Sequence, residues 1–299
     1  MSQVDVEVEK TYKFPRYVGF ILGNEFCERY SFYGMRTILV LFLTYFIKFD
    51  EDTSTVIYHA FTVLAYLFPL MGGAIADGYW GKYKTILWLS IVYAGGMVIF
   101  SMSALPQLSD ANASFRTANA VLACAGLLII AFGTGGIKPC VSSFGGDQFE
   151  AGDDKNTAIF FDLFYWAINA GSFVSTLLSP LIREMTCGPL GTDDSCYFLA
   201  FLIPAVLMSG AVGMFVIGTK YYKRVPPTGT NIFFEVIKTI WYGAWNKIPE
   251  DVLAKGNDHW LYGASGKVED WLIRDCKYLV RVLVMFLPQN FEKIIKKTF

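Results

Sequence analysis

The sequence predicts an all-α membrane protein, a bundle of six spanning helices followed by the start of a seventh. Three observations carry this. The 299 residues are 54% hydrophobic and 17% aromatic but only 17% charged, against roughly 25% charged in an ordinary soluble domain. Six apolar runs are each long enough to cross a bilayer, and the basic residues between them gather on alternate connections.

Composition excludes several classes. A formal net charge of −1 leaves no basic footprint for nucleic acid. Residues 1–16 are charged and hold no apolar core ahead of a small-residue cleavage site, so no cleavable signal peptide is expected and the first span serves as the targeting signal. Six cysteines and two histidines, His59 and His259, do not fall at metal-ligand spacings. His259 lies in a polar stretch without a second ligand and is expected to be an ordinary surface histidine. No nucleophile with a base and no phosphate loop is present, so neither an enzyme nor a bound cofactor is expected.

A span needs about 20 mostly apolar residues, and the runs lie near 17–46, 55–76, 84–104, 118–143, 159–182 and 197–219. The expected organisation is a tail over 1–16, a bundle over 17–219, a linker over 220–277, and a truncated seventh helix with a basic tail over 278–299. An even number of crossings returns the chain to its starting side. Lys10, Lys13 and Arg16 precede the first run, Lys82 and Lys84 follow the second, and Lys220, Lys223 and Arg224 follow the sixth, whereas Asp50, Glu51 and Asp52 separate the first from the second. The basic connections belong in the cytosol. Both flanks are therefore expected there.

That topology turns the 105–117 connection outward, where Asn112-Ala113-Ser114 makes a glycosylation sequon, a triplet also common by chance. It also turns outward the polar stretch bracketed by Cys187 and Cys196. A disulfide is expected between them, with two free thiols as the alternative. In the linker, Ile232, Phe233, Val236, Ile237, Ile240, Trp241, Ala244 and Trp245 recur at helical spacing opposite Glu235, Lys238 and Asn246. Such a helix either lies at the membrane surface or packs on the bundle. A seventh apolar run begins at Tyr278 and gives way after Leu287 to Pro288, Gln289 and the basic Lys293, Lys296 and Lys297.

The first span holds Glu25, Glu28, Arg29 and Arg36, and each ionisable group at mid-helix costs roughly 2.5–3.5 kcal/mol to insert. At about 100° per residue these four, with Phe32 and Tyr33, fall within an arc of about 140°, one stripe that must face inward. They could simply neutralise one another and staple helices together. Other spans carry more than a staple needs. His59, Thr62 and Tyr66 share a face of the second, Lys138 follows Gly133-Thr134-Gly135-Gly136-Ile137 in the fourth, and Tyr165, Asn169 and Ser172 share a face of the fifth. A charged, water-filled cavity fits this set better. The glycines of the fourth span lack the third glycine and the strand of a dinucleotide fingerprint, and are read as close-packing positions.

Three stretches carry a resemblance. Glu25-Phe26-Cys27-Glu28-Arg29-Tyr30-Ser31-Phe32-Tyr33-Gly34 resembles the ExxER(F/Y)xYYG signature of the proton-coupled oligopeptide transporters of the major facilitator superfamily. Gly72-Gly73-Ala74-Ile75-Ala76-Asp77-Gly78-Tyr79-Trp80-Gly81-Lys82 is similar to that family's loop motif between helices two and three. Phe164-Tyr165-Trp166-Ala167-Ile168-Asn169-Ala170-Gly171-Ser172 is similar to its FYxxINxGS motif. Phe32 departs from the pattern, standing where the family commonly has tyrosine.

The resemblance implies the amino-terminal six-helix bundle of a major facilitator fold, and symport of di- and tripeptides with protons as the coupling ion. Proton-sensitive groups would be Glu25, Glu28 and, as in animal-type members, His59. Arg29, Tyr33, Arg36, Tyr66, Lys138, Tyr165 and Asn169 would bind substrate, Lys138 pairing with a first-span glutamate until protonation frees it. Asp77 and Lys82, with Lys84, would form a cytosolic gating latch. A whole member has twelve helices and resides at the plasma membrane. The 299 residues alone are therefore expected not to transport, or alternatively to bind and modulate a full-length relative. Lys296-Lys297-Thr298-Phe299 is similar to a retrieval signal, which would hold such a form in the endoplasmic reticulum.

Overall fold

The computed structural model describes residues 13–105, 113–187, 195–227, 229, 232–254 and 256–285. Helix α1, Val18–Leu41, continues through a π-turn at Phe42–Phe46. Helix α2, Glu51–Ile75, leads through a second π-turn, Ala76–Trp80, directly into α3, Gly81–Met102. Then follow α4, Ala113–Gly146; α5, Asp154–Arg183; and α6, Tyr197–Gly218. Local chemistry sets two of the starts. Asp50 accepts the Thr53 N–H at 2.9 Å ahead of α2, and Asp153 accepts the Asn156 N–H at 3.3 Å ahead of α5, each satisfying a donor that the first turn leaves free.

By length and hydropathy alone, Glu51–Met102, Thr117–Gly146, Asp154–Arg183 and Tyr197–Gly218 qualify as membrane spans. Helix α1 is missing from that set because four ionisable residues interrupt its apolar run. The first segment is two spans. Its 52 residues would make a straight helix of about 78 Å at about 1.5 Å per residue, far beyond the ~30 Å hydrocarbon core. Gly136 of α4 lies against both Gly72 of α2 and Leu89 of α3, which a straight helix would hold about 25 Å apart. The chain therefore folds back between them. It does so at Gly81, whose φ of 76° lies in the left-handed region that glycine enters without penalty. The motif expected as a loop is helical to Trp80.

Helix directions follow from contacts. Ser31 donates to the Pro204 carbonyl at 2.8 Å and the Phe42 and Phe201 ring centroids are 5.0 Å apart, so α1 and α6 are antiparallel. Gly171 meets Phe26 and Arg29 while Gly34 meets Ser175, so α1 and α5 are parallel. Both flanks of the bundle consequently meet at one end, where the Tyr17 ring stacks on Tyr221 at 6.4 Å and lies edge-on to Tyr222 at 6.3 Å. Buried aromatics fill the interior at each end: Phe42, Phe100, Tyr197 and Phe201 at one, and Phe144, Phe215 and Tyr222 at the other, where the half-buried Tyr83 packs on them. The end of α5 is tied to the start of α6 by a Cys187–Cys196 bond, Cα–Cα 5.4 Å. Asn112 of the sequon lies outside the described residues.

The bundle extends past the expected boundary at 219, to Pro227. Gln148, at the end of α4, donates to the Lys223 carbonyl at 3.1 Å and accepts the Lys223 N–H at 2.9 Å, and Arg224 lies over the Tyr83 ring at 4.4 Å. These contacts make the residues after α6 part of the bundle.

The second unit begins at Thr228 and contains α7, Ile232–Trp245; α8, Glu250–Leu253; a 3₁₀ turn, Trp260–Ala264; and α9, Asp270–Met285. It has its own core of Leu261, Ala264, Leu272, Ile273 and Cys276, onto which Val236 and Ile240 pack. Part of the apolar face of α7 is therefore covered within this unit, while Phe234, Ile237, Trp241 and Trp245 stay exposed. Two expectations are corrected here. Helix α9 starts at Asp270, so the boundary drawn at 277/278 falls inside it, because Leu272, Ile273 and Cys276 extend the buried face towards the amino terminus. His259 is not a bare surface residue: its Nδ1 accepts the Leu261 N–H at 3.3 Å and its ring stacks on Trp260. Partial burial first, then Lys277 and Arg281, lower its pKa from the ordinary histidine value. Lys293, Lys296 and Lys297 lie outside the described residues.

Candidate functional site

The polar stripe of α1 divides along its length. In its first part Glu25, Glu28, Arg29 and Phe32 are buried; in its second, Tyr33 and Arg36 are half-buried. The reason is what faces each part. Gly171 of α5 lets its backbone approach Phe26 and Arg29 with no side chain between, and Thr134 of α4 reaches Glu28.

In the closed part the Arg29 guanidinium serves both carboxylates. Its Nε donates to Glu25 Oε1 at 2.6 Å and lies 2.9 Å from Glu28 Oε2. The second approach is not aligned as a hydrogen bond, and Glu28 Oε2 has no hydrogen-bond partner among the described residues. Glu28 is held instead through Oε1, which accepts the Thr134 hydroxyl at 2.6 Å. Two carboxyl groups thus share one guanidinium.

In the open part the cations rest on aromatic rings. Lys138 of α4 places its ammonium 4.4 Å from the Phe32 ring centroid and 4.5 Å from that of Tyr66, an arrangement that holds a cation by the ring quadrupole. Among the described residues no carboxylate lies within 4.0 Å of Lys138, so the pairing expected with a first-span glutamate is not made here. Arg29 holds those glutamates. The Phe32 ring, fully buried, sits where the family's usual tyrosine would add a hydroxyl. Arg36 donates from Nε to Tyr58 Oη at 2.8 Å and lies over the same ring.

The remaining expected residues line the open side. Tyr33 lines two grooves, one of about 750 Å³ with Trp166, Asn169, Ser172, Phe173 and Thr176, and one of about 350 Å³ with Arg36, Thr37, Val40 and Tyr58. Tyr66 and Tyr165 are 57% and 69% exposed, and His59 is exposed, its ring edge-on to Tyr58 at 5.4 Å. Asn169 donates to the Tyr165 carbonyl at 2.7 Å, and Ser172 to Ile168 at 2.9 Å. Both side chains thus donate within their own helix, and among the described residues no hydrogen bond to their side-chain acceptor oxygens is found.

At the other end of α2, Asp77 lies in the π-turn and is half-buried. Lys82 bonds Asp147, at the end of α4, at 2.6 Å. Asp147, Thr134 and Tyr58 are the residues that sequence reasoning missed. Tyr58 and Thr134 each adjoin a group already singled out, His59 and the glycines before Lys138. Nothing local marks Asp147.

The POT family model (PTR2) matches residues 83–294. The chain belongs to the POT family. It is 45% identical over 280 residues to human solute carrier family 15 member 1, covering 92% of this chain and 39% of that protein. It is 46% identical over 279 residues to human member 2, covering 92% and 37%. The chain thus spans about two-fifths of the length of these curated relatives. Among solved structures it resembles the POT family transporter PepTSo, with a TM-score of 0.70 at 31% identity over 92% of this chain and 59% of that one. An auto-inhibited POT family peptide transporter gives 0.69 at 31% identity, over 91% and 58%. The family's major facilitator-type helical fold is the one described above.

Proposed function

We propose that the whole protein carries di- and tripeptides with protons across the plasma membrane, and that this chain supplies its proton-sensitive groups and the cations that hold the peptide carboxylate. The observation that carries the reading is the division of the α1 stripe: a buried group in which two carboxyl groups share one guanidinium lies beside Arg36 and Lys138, which meet no carboxylate among the described residues. Protonation of Glu25 or Glu28 loosens their hold on Arg29. A peptide carboxylate can then take Arg36 and Lys138, and Arg29 once released, a guanidinium being suited to bidentate contact. Tyr33, Tyr66, Tyr165 and Asn169 would meet the peptide backbone or side chains, and His59 would pass protons. The gradient is sufficient in scale, at about 2.3 kcal/mol per charge per 100 mV and about 1.36 kcal/mol per pH unit.

The basic end of the bundle, with Arg16, Lys82 and Lys220, is the cytosolic end on this reading, and Asp77 with the Lys82–Asp147 pair latches it. Alternating access requires a second bundle to rock around a site at the interface. Residues 1–299 expressed alone should therefore give no saturable dipeptide uptake. In the whole protein, Lys138→Gln should lower uptake of a labelled dipeptide at least tenfold while leaving the protein at the cell surface. Saturable, proton-dependent uptake by the 299 residues alone would overturn the half-site reading.

The open face of α5, with Tyr165, Trp166, Phe173 and Leu177 exposed, favours a second reading in which this chain docks on a full-length relative and modulates it. Co-purification with that relative, and a change in its uptake on co-expression, test it.

A further inference from the structure

At the end where α1 begins and α6 finishes, a cavity of about 430 Å³ is lined by Arg16, Tyr17, Phe20 and Tyr221. Neither the peptide site nor the Lys82–Asp147 pair uses it. We propose that this cavity binds the headgroup of an anionic phospholipid, with Arg16 on the phosphate and the tyrosine rings flanking the glycerol.

Charge complementarity commits it to that occupant. No Asp or Glu occurs from Lys13 to Asn24 or from Tyr197 to Phe234, the stretches that supply all four lining residues of the cavity and that contribute Lys13, Arg16, Lys220, Lys223 and Arg224 to this end. The acids of the neighbouring α4–α5 connection, Asp147, Glu150, Asp153 and Asp154, do not line it, and Asp147 is taken by Lys82. Arg224 is engaged by the Thr219 carbonyl at 3.0 Å and by the Tyr83 ring. Arg16, which is exposed, has no carboxylate within 4.0 Å among the described residues, and neither have Lys220 and Lys223.

The basic residues are also held in place. Gln148 grips the Lys223 peptide through both its donor and its acceptor, and Phe14 packs on Phe149 at 5.8 Å, fixing the approach to α1. The cavity mouth is aromatic, with Tyr17 stacked on Tyr221 and the latter 62% exposed. Tyrosine is favoured at the membrane–water interface, the level at which phosphates lie. A basic pocket between helices on the cytoplasmic side is the arrangement that takes an anionic headgroup.

Native mass spectrometry of the purified 299-residue chain in detergent, titrated with phosphatidylserine or phosphatidylcholine, tests the site. One tightly bound phosphatidylserine is expected, at several times the affinity of phosphatidylcholine. Arg16→Gln should lower phosphatidylserine binding about fivefold, in line with the usual contribution of one basic residue near an anionic surface, and Tyr221→Ala should weaken both lipids. Lys155→Gln, an exposed charge at the start of α5, should change nothing. Equal binding of the two lipids, or equal loss in the Arg16 and Lys155 variants, would overturn the proposal in favour of diffuse attraction. Displacement of the lipid by millimolar inorganic phosphate would make the occupant a free anion. Binding that appears only after residues 1–12 are removed would make it the chain's own tail.

Discussion

The two ends of the α1 stripe solve the same problem in opposite ways. Glu25, Glu28 and Arg29 are taken out of water together and answer one another through contacts of 2.6 and 2.9 Å. Arg36 and Lys138 are kept near water and given rings and a hydroxyl in place of an anion. The first arrangement is structural as well as chemical, since a buried charge deprived of its partner costs far more than the pair contributes. The second leaves two cations without a carboxylate partner among the described residues, which is what the proposed function draws on.

The comparison breaks most visibly at Arg29. Arg29→Leu leaves two buried carboxylates without their cation and should cost about 3–5 kcal/mol, read as loss of the monodisperse peak or a much lower melting temperature in detergent. Adding Glu25→Gln and Glu28→Gln to it should recover most of that loss. Phe32→Leu addresses the open set. It removes one ring from under Lys138, worth about 0.5–2 kcal/mol, and also a fully buried core ring, so stability to melting falls by about 1 kcal/mol or more while the bundle still folds; the cation's share is read by comparison with Phe32→Tyr, which keeps the ring. The Lys82–Asp147 pair is about a quarter exposed on each side, and a double-alanine cycle should return a coupling of no more than about 1 kcal/mol. His259 gives the smallest effect. Its lowered pKa means that the folded second unit favours the neutral ring, so its contribution is present above the ordinary histidine pKa of about 6.5 and is lost as pH falls through the depressed value. His259→Asn keeps a side-chain acceptor for the Leu261 N–H without titrating, and should flatten the acid limb of hydrogen exchange in the 3₁₀ turn and α9.

The six long helices were legible because bilayer length and basic connections are written locally. So was the α1 stripe, since helical periodicity alone put its charges on one face. The Glu25–Arg29 pairing was legible, being an i,i+4 neighbour on one helix. That Lys138 of α4 would rest on the Phe32 and Tyr66 rings rather than on a glutamate was not, because it depends on how α2 and α4 meet α1. The same holds for Lys82, whose partner Asp147 is 65 residues away on another helix. Helix α9 was begun too late because the reading awaited a bilayer-length run, whereas its first turns are buried in a small core of their own. His259 was judged alone, without the backbone N–H two residues on that its ring accepts.

Gly81 leaves the chain between α2 and α3 no slack. Where other crossings are joined by several residues that can absorb a change, here the helices are separated by a π-turn and one left-handed peptide. An added or deleted residue at this point would rotate all of α3 by about 100°, carrying Tyr93 and Leu89 off their seats on Gly133 and Gly136 of α4. For anyone placing an epitope tag, a fluorophore or a protease site, the 77–82 stretch is the one to avoid, and the exposed residues 150–152, ahead of the Asp153 cap of α5, are the better host.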